Sequence, residues 1–399
     1  MKLLFLNTLY APYIGGGAEI ILQEQAEGLM NLGHSVSVLC TGPESGLHET
    51  FVDGIKVYRG GLRNLYFPFG KSTSSTLRRA FWHFVDIYNP FMKDHIRRVI
   101  TIEKPDVVSC HNLSGWSIAA WDAVSEFDIP VVQVLHDHYL LCPRSTMFDG
   151  KCACDGQCRA CRCMRLPHAT ASNRVSAVVG VSQFMLDYLI SFGYFRETRI
   201  RKVIHNVRDI TLPEYVRGKA EKSRGPVFGY IGTLQPAKGI ELLLKTFSDI
   251  ALPEWRLNVA GTGKSDYEMF LKNRYHDPRI TFLGYCRQQD FFKSIDICVV
   301  PSLWKEALGM VVAESLLFGI PVIASDRGGI PEMICEEKNG MLFRPDNPSG
   351  LEKAMNEMAA NIDDWRVRFP EIIQSAASFT GKERWLRQYE NLYQDSVSI

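Results

Sequence analysis

No stretch of this 399-residue chain reaches eighteen consecutive apolar residues, so no segment has the makings of a membrane-spanning helix. The opening MKLLFLNTLY is broken by polar residues and too short for a signal peptide. An excess of either charge is also missing. Lys and Arg number 45 against 44 Asp and Glu, a formal net charge of +1, which gives no reason to expect nucleic acid as a partner. The one glycine cluster near the start, Gly15-Gly16-Gly17, does not fit G-x-G-x-x-G, which speaks against a dinucleotide enzyme. There is no Asp-x-Asp pair to hold a cation at a diphosphate. These absences lead us to expect a cytoplasmic protein whose eleven cysteines are reduced unless bound to metal.

What is present points to two domains. The length exceeds one ordinary core, and 46% hydrophobic with 22% charged residues is a globular composition. Apolar runs of strand length alternate with helical patterns throughout, which argues for parallel α/β sheets. In the first half strands are expected at Lys2–Asn7, Ser35–Cys40, Asp106–Cys110, Pro130–Leu135, Ala177–Val181 and Lys202–His205, with a long helix from Gly17 to Leu32 ended by Gly33. The charged stretch from Leu212 to Gly225 is the linker candidate. The rhythm restarts with strands at Val227–Ile231, Arg256–Ala260, Ile280–Leu283, Asp296–Pro301, Val322–Ala324 and Met341–Phe343. Two doubly wound domains should therefore bind ligand at the carboxyl ends of their strands, in a cleft between them.

The segment PSLWKEALGMVVAESLLFGIPVIASDRGG, residues 301–329, carries the chemistry. A strand ends in polar residues, Leu308-Gly309-Met310-Val311 opens a short apolar helix, and Gly319 and Pro321 stop it. Glu306 lies before the turn and Glu314 eight residues later, inside the helix. Free N–H groups at such a helix start suit phosphate. An acid just beyond them repels phosphate, so Glu314 is better suited to accept from neutral hydroxyls, such as the two of a ribose. Glu306 would face another part of the same ligand. A diphosphate flanked by hydroxyl-bearing groups is a nucleotide sugar.

This two-glutamate segment resembles the donor motif of retaining glycosyltransferases of the GT-B fold, in the large bacterial group that includes mannosyl- and glucosyltransferases, and the similarity covers nearly the whole chain. The resemblance implies an acceptor-binding domain over residues 1–207, a nucleotide-sugar-binding domain over 208–379, and a final helix near 380–399 packing back on the first. It implies that a hexose passes from a nucleotide-diphosphate sugar, the co-substrate, to a glycan or polyprenyl-linked acceptor, in cell-surface polysaccharide or lipopolysaccharide synthesis and without a catalytic metal. Glu306, His136 and Lys238 are the expected catalytic residues. Lys238, just before Gly239 at a helix start, would meet the diphosphate, although Thr233 stands where the family usually has an arginine; Arg327 is a candidate replacement. Gly16 and Gly17 would border the donor phosphate, and Gly261 and Tyr285 the nucleotide, alongside Leu308, Gly309, Met310, Val311 and Glu314. His136 follows the strand VVQVL and would touch the transferred sugar; the competing reading is a core histidine satisfied by Asp137 or Asp149. A non-catalytic nucleotide-sugar sensor and a nucleotide-sugar epimerase are the rival functions.

Six cysteines fall within twenty-two residues. Cys142, Cys152, Cys158 and Cys161 are the expected ligands of a structural zinc, with Cys154 and Cys163 as alternates; free thiols and a redox pair are the competing readings. Between Leu62 and Ile100, bases such as Arg78, Arg79, Lys93, Arg97 and Arg98 are interleaved with aromatics such as Phe67, Phe81 and Phe84. That pattern suits peripheral contact with an anionic membrane at the inner face of the cell membrane, and packing of acceptor-domain helices explains the aromatics equally well.

Overall fold

The computed structural model describes residues 1–70, 75–208, 225–347 and 349–398. The expected linker lies outside the described residues except for Gly225. The chain forms two compact units. The first takes Met1–Met147, Gly156–Asn206 and Lys382–Ile399; the second takes Phe148–Asp155 and Val207–Gly381.

The first unit is built on eight strands: β1 (Lys2–Leu6), β2 (Ser35–Gly42), β3 (Leu47–Val52), β4 (Ile55–Gly61), β5 (Val107–Cys110), β6 (Val131–Leu135), β7 (Ala177–Gly180) and β8 (Ile200–Val203). They lie in the order β3-β4-β2-β1-β5-β6-β7-β8, and only the β3/β4 pair is antiparallel. Leu3 to Leu6 and all of β5, β6 and β7 are buried, so these strands read as predominantly apolar runs with both faces covered, interrupted by the buried polar Ser109 and Gln133. Each such Leu, Val or Phe contributes about 1.5–3 kcal/mol of burial. The β3/β4 hairpin was not among the expected strands. Its turn is Asp53-Gly54, both at positive φ, a strong hairpin signal. β3 itself is largely exposed and lacks the apolar alternation that marks a strand. β8 starts two residues earlier than expected.

The helix Lys382–Val397 completes this unit. A side chain at Gly28 would meet Leu386 within 2.5 Å, so the glycine is what lets the two helices approach. His34 Nε2 lies 3.0 Å from Glu390 and Lys202 2.9 Å from Asp395.

The second unit holds β9 (Val227–Ile231), β10 (Arg256–Ala260), β11 (Ile280–Gly284), β12 (Ile297–Val300), β13 (Val322–Ser325) and β14 (Gly340–Phe343). All are parallel, in the order β11-β10-β9-β12-β13-β14. The strand order reverses between β9 and β12, where the register sets Ile297 against Phe228 and Cys298 against Gly229. In the first unit it reverses between β1 and β5. Crevices outside the carboxyl ends at such switch points are where open α/β sheets bind ligands.

Candidate active site

The loops leaving β9 and β12 meet at the second unit's switch point. Gly239 follows Lys238 at φ +70°, and a Cβ there would sit 1.8 Å from the Pro301 carbonyl. Only glycine allows this approach, which brings the turn Pro236–Lys238 onto the end of β12. Leu303 and Trp304 both donate their N–H groups to the Ala237 carbonyl, at 2.9 and 3.2 Å. Lys238 Nζ in consequence reaches Glu306 Oε1 at 2.7 Å and stands 5.1 Å from the Trp304 ring centre. Ser302 Oγ donates to the same carboxylate oxygen at 2.7 Å. Glu306 is buried, and burial raises its pKa, but the charge and hydrogen bond of Lys238, with Ser302, outweigh that and hold it below its ordinary value. It is a buried carboxylate kept ionised by a cation.

Glu314 is also buried, in the helix Met310–Leu317 capped by Gly309, and its Oε1 accepts from Arg208 Nε at 2.8 Å. Arg208 was not foreseen; it belongs to the start of the second unit, next to a charged stretch with no motif. Leu308 is buried while Met310 and Val311 are half-buried at the helix start. Thr233 follows β9 and is exposed, Gly261 follows β10 directly, and Tyr285 follows β11 with 87% of its surface exposed. Leu234 N–H donates to the Thr262 carbonyl at 2.9 Å, which ties the β9 and β10 loops together. These residues share the carboxyl edge of one sheet. Arg327 pairs with Asp346.

In the first unit, Gly16 N–H donates to Glu19 Oε2 at 2.8 Å, and Gly17 opens the first long helix. His136 follows β6 directly and is half-buried. Its Nε2 lies 2.8 Å from His111 Nδ1, the two rings stacked at 5.1 Å between centres. His111, at the end of β5, is therefore its partner in place of Asp137, whose carboxylate accepts from Tyr139 N–H at 2.7 Å. Burial lowers the His136 pKa to about 4, so the ring is neutral near pH 7.

Among the described residues the structure does not show the expected zinc site. Cys142 and Cys161 sulfurs stand 3.8 Å apart, and Cys158 Sγ accepts from Cys161 N–H at 3.4 Å. Cys152 sits in a turn of its own: Asp149 Oδ1 accepts from the N–H groups of Lys151 and Cys152, and the Cys152 thiol donates to Asp149 Oδ2 at 3.5 Å. This tight turn, closed by the Phe148–Ala153 bridge, places Cys152 and Cys154 in the second unit. Cys163 is exposed. Among the described residues no group of three or more His, Cys, Asp or Glu is placed to hold a metal. The Cys154 carbonyl accepts from Lys305 Nζ at 3.0 Å, beside Glu306.

Two doubly wound α/β units, each with a switch point in its sheet, have the architecture of the GT-B fold. The comparisons agree. Residues 16–206 match the family model described as glycosyl transferase 4-like domain, and residues 213–369 match glycosyl transferases group 1. The chain belongs with these glycosyltransferases. An uncharacterized 42.6 kDa protein in cps region from Klebsiella pneumoniae is 29% identical, over 84% of this chain and 87% of that one. Sucrose-phosphate synthase from Thermosynechococcus elongatus superposes with a TM-score of 0.76 at 18% identity, covering 99% of this chain and 98% of the other. Anabaena HepE in complex with UDP and glucose superposes at 0.73 and 21% identity, covering 99% and 100%.

Proposed function

We propose that this glycosyltransferase moves a hexose from a nucleoside-diphosphate sugar to a glycan or polyprenyl-linked acceptor, with retention of configuration, in cell-surface polysaccharide or lipopolysaccharide synthesis. The observation that carries the reading is the Lys238–Glu306 pair at the second sheet's switch point, eight residues before Glu314. The second unit would bind the donor and the first the acceptor. Negative charge grows on the departing diphosphate, and the free N–H groups at the start of Met310–Leu317 together with Lys238 would stabilise it. Glu306 would orient the sugar hydroxyls, Glu314 would accept from the ribose, Thr233 would lie at the diphosphate beside Lys238, and Gly261 and Tyr285 would flank the nucleotide. Gly16 and Gly17 would border the phosphate, and His136 the sugar. No step in this scheme uses a metal. The relative in a cps region favours polysaccharide assembly, and the neighbour holding UDP and glucose favours a nucleoside diphosphate as carrier.

A panel of nucleotide sugars and glycan acceptors tests this, with nucleoside diphosphate release followed and the product anomer read by NMR. Release that depends on acceptor, with the donor anomer kept, is expected. An inverted product would overturn the retaining class. Epimerised donor without acceptor would favour an epimerase, and binding without turnover a sensor.

We also propose peripheral contact of the first unit with an anionic membrane, such as the inner face of the cell membrane. The helix Thr76–Val85 exposes Leu77 at 80% and Phe81 and Phe84 at 65% each, spaced along one face, while Trp82 on the other is buried. Phe91 adds a fourth exposed apolar side chain, and Arg78 lies beside the row. Among the described residues no helix is long and apolar enough to cross a membrane. The double variant Phe81→Asp/Phe84→Asp is expected to lose most of its co-sedimentation with anionic phospholipid vesicles while acting normally on a soluble acceptor. Equal sedimentation of the variant and the native protein would exclude this face.

A further inference from the structure

We infer that a one-way chain of hydrogen bonds, Gln25 to Tyr393 to Ser109 to His111 to His136, holds His136 as the tautomer with its hydrogen on Nδ1, which makes Tyr393 and Ser109 positioning residues for that histidine. Gln25 lies in the helix Gly17–Asn31 and Tyr393 in the last helix, so two helices distant in sequence join at the chain's origin.

The direction is set by the Gln25 carboxamide as placed, with Nε2 rather than Oε1 on Tyr393, and by the donor and acceptor capacity of each group after it. Gln25 Nε2 lies 3.1 Å from the Tyr393 hydroxyl. A carboxamide nitrogen has hydrogens to give and no lone pair to receive with, so the phenol oxygen accepts there. Its one hydrogen then goes to Ser109 Oγ, 3.1 Å away. Ser109, having accepted, gives its own hydrogen to His111 Nε2 at 3.2 Å. A neutral imidazole has one donor and one acceptor nitrogen, so His111 with Nε2 accepting must carry its hydrogen on Nδ1. That Nδ1 stands 2.8 Å from His136 Nε2, which accepts in turn, and the remaining hydrogen of His136 sits on Nδ1. Gln25, Ser109, His111 and Tyr393 are all nearly inaccessible to solvent, and His136 is the partly exposed end. Burial drives the His111 pKa well below its ordinary value, with a further push from any charge on His136, so the chain operates between neutral rings.

A directional chain of this kind gives the last helix a role beyond packing. His136 then carries a hydrogen-bond donor at Nδ1, suited to a hydroxyl oxygen of the sugar. That consequence rests on the function proposed above, whereas the tautomer does not.

The test uses full-length protein labelled with ¹⁵N in its histidine rings, with long-range ¹H–¹⁵N spectra assigned by His111→Asn and His136→Asn. In the native protein the His136 Nδ1 signal is expected in the protonated range and Nε2 in the unprotonated range. Tyr393→Phe removes the phenol hydrogen, so Ser109 becomes free to accept from His111 Nε2 and both rings are expected to exchange or average their tautomers. Ser109→Ala reads the same link should Tyr393→Phe fold poorly. Tyr389→Phe is the control, since Tyr389 lies on the same helix with a buried hydroxyl that has no partner among the described residues. Its His136 signals should not move. With the donor and acceptor of the proposed function, Tyr393→Phe should lower kcat about five- to tenfold, the worth of one hydrogen bond, with donor KM little changed. A protonated Nε2 on His136 in the native protein, or signals unmoved by both variants, would overturn the chain. An altered tautomer with native kcat would overturn the positioning role. Absence of any transferase turnover counts against the function alone, since the spectra still decide the tautomer.

Discussion

Glu306→Ala is expected to lower turnover about 100- to 1,000-fold while raising donor KM far less, the pattern of a group whose interactions matter most in the transition state. Two losses combine. The carboxylate that would orient the sugar hydroxyls disappears, and Lys238 loses the partner 2.7 Å away that fixes it above Trp304. A lysine released from that position swings into solvent and no longer meets the leaving diphosphate at a set point. Glu306→Gln keeps the shape and an oxygen to accept from Ser302, so it should fall between the native enzyme and the alanine variant. Lys238→Met supplies the electrostatic counterpart. Without the lysine, burial becomes the dominant influence on Glu306 and its pKa moves from below to above the ordinary carboxylate range. The acidic limb of the pH–rate profile should then shift to higher pH, because the carboxylate protonates sooner as pH falls. Steady-state rates at saturating donor across a pH series measure both effects. Native turnover in Glu306→Ala, or an unmoved acidic limb in Lys238→Met, would remove Glu306 from the catalytic set.

The fold was readable because parallel sheets covered on both faces demand predominantly apolar strands, and those stand out as Leu3–Leu6, Val131–Leu135 and Val227–Ile231. The second domain was the clearer one. Its six strands alternate regularly with helices, and every expected strand lies within two residues of the observed one at each end. The β3/β4 hairpin escaped because an exposed edge strand such as Leu47–Val52 has no buried face to impose alternation. The Asp53-Gly54 turn alone could have revealed it.

The site divides in the same way. Lys238 and Glu306 are 68 residues apart in sequence, and their meeting depends on β9 and β12 being neighbours, a matter of topology that a doubly wound order supplies. Arg208 could not be found, since a single arginine near a charged stretch carries no periodicity and no spacing rule. His111 stands at the end of a strand, but its contact with His136 required β5 and β6 to pair in register. The zinc expected from the cysteine cluster rests on spacing alone, and the structure does not show it. Close spacing in sequence suggests a shared metal only if the backbone between the thiols is free to fold around it. Here the Asp149 turn spends the N–H groups of Lys151 and Cys152 on a local carboxylate and points the Cys152 thiol at it as well.

The two roles of Glu314, partner to Arg208 and proposed acceptor for the ribose, can be separated by pairing its variants with those of the arginine. Glu314→Ala is expected to weaken donor binding by about 2–3 kcal/mol, roughly 30- to 150-fold, as a charged acceptor of two hydroxyl bonds would. The same change deprives Arg208 of a buried partner at 2.8 Å, and breaking one side of a buried ion pair costs about 3–5 kcal/mol of stability. A lower melting temperature would thus accompany weaker binding, and the single variant cannot say whether one causes the other. Arg208→Leu breaks the same pair from the other side but leaves the carboxylate in the helix Met310–Leu317. It should lose comparable stability and keep most of its donor affinity. The double variant Arg208→Leu/Glu314→Gln removes both charges, so it should regain part of the lost stability without regaining donor affinity. Calorimetric titration with nucleoside diphosphate and thermal unfolding of the three variants give the two quantities independently. Should donor affinity follow melting temperature across all three, Glu314 would be a structural ion-pair residue, and the ribose would have to be held elsewhere.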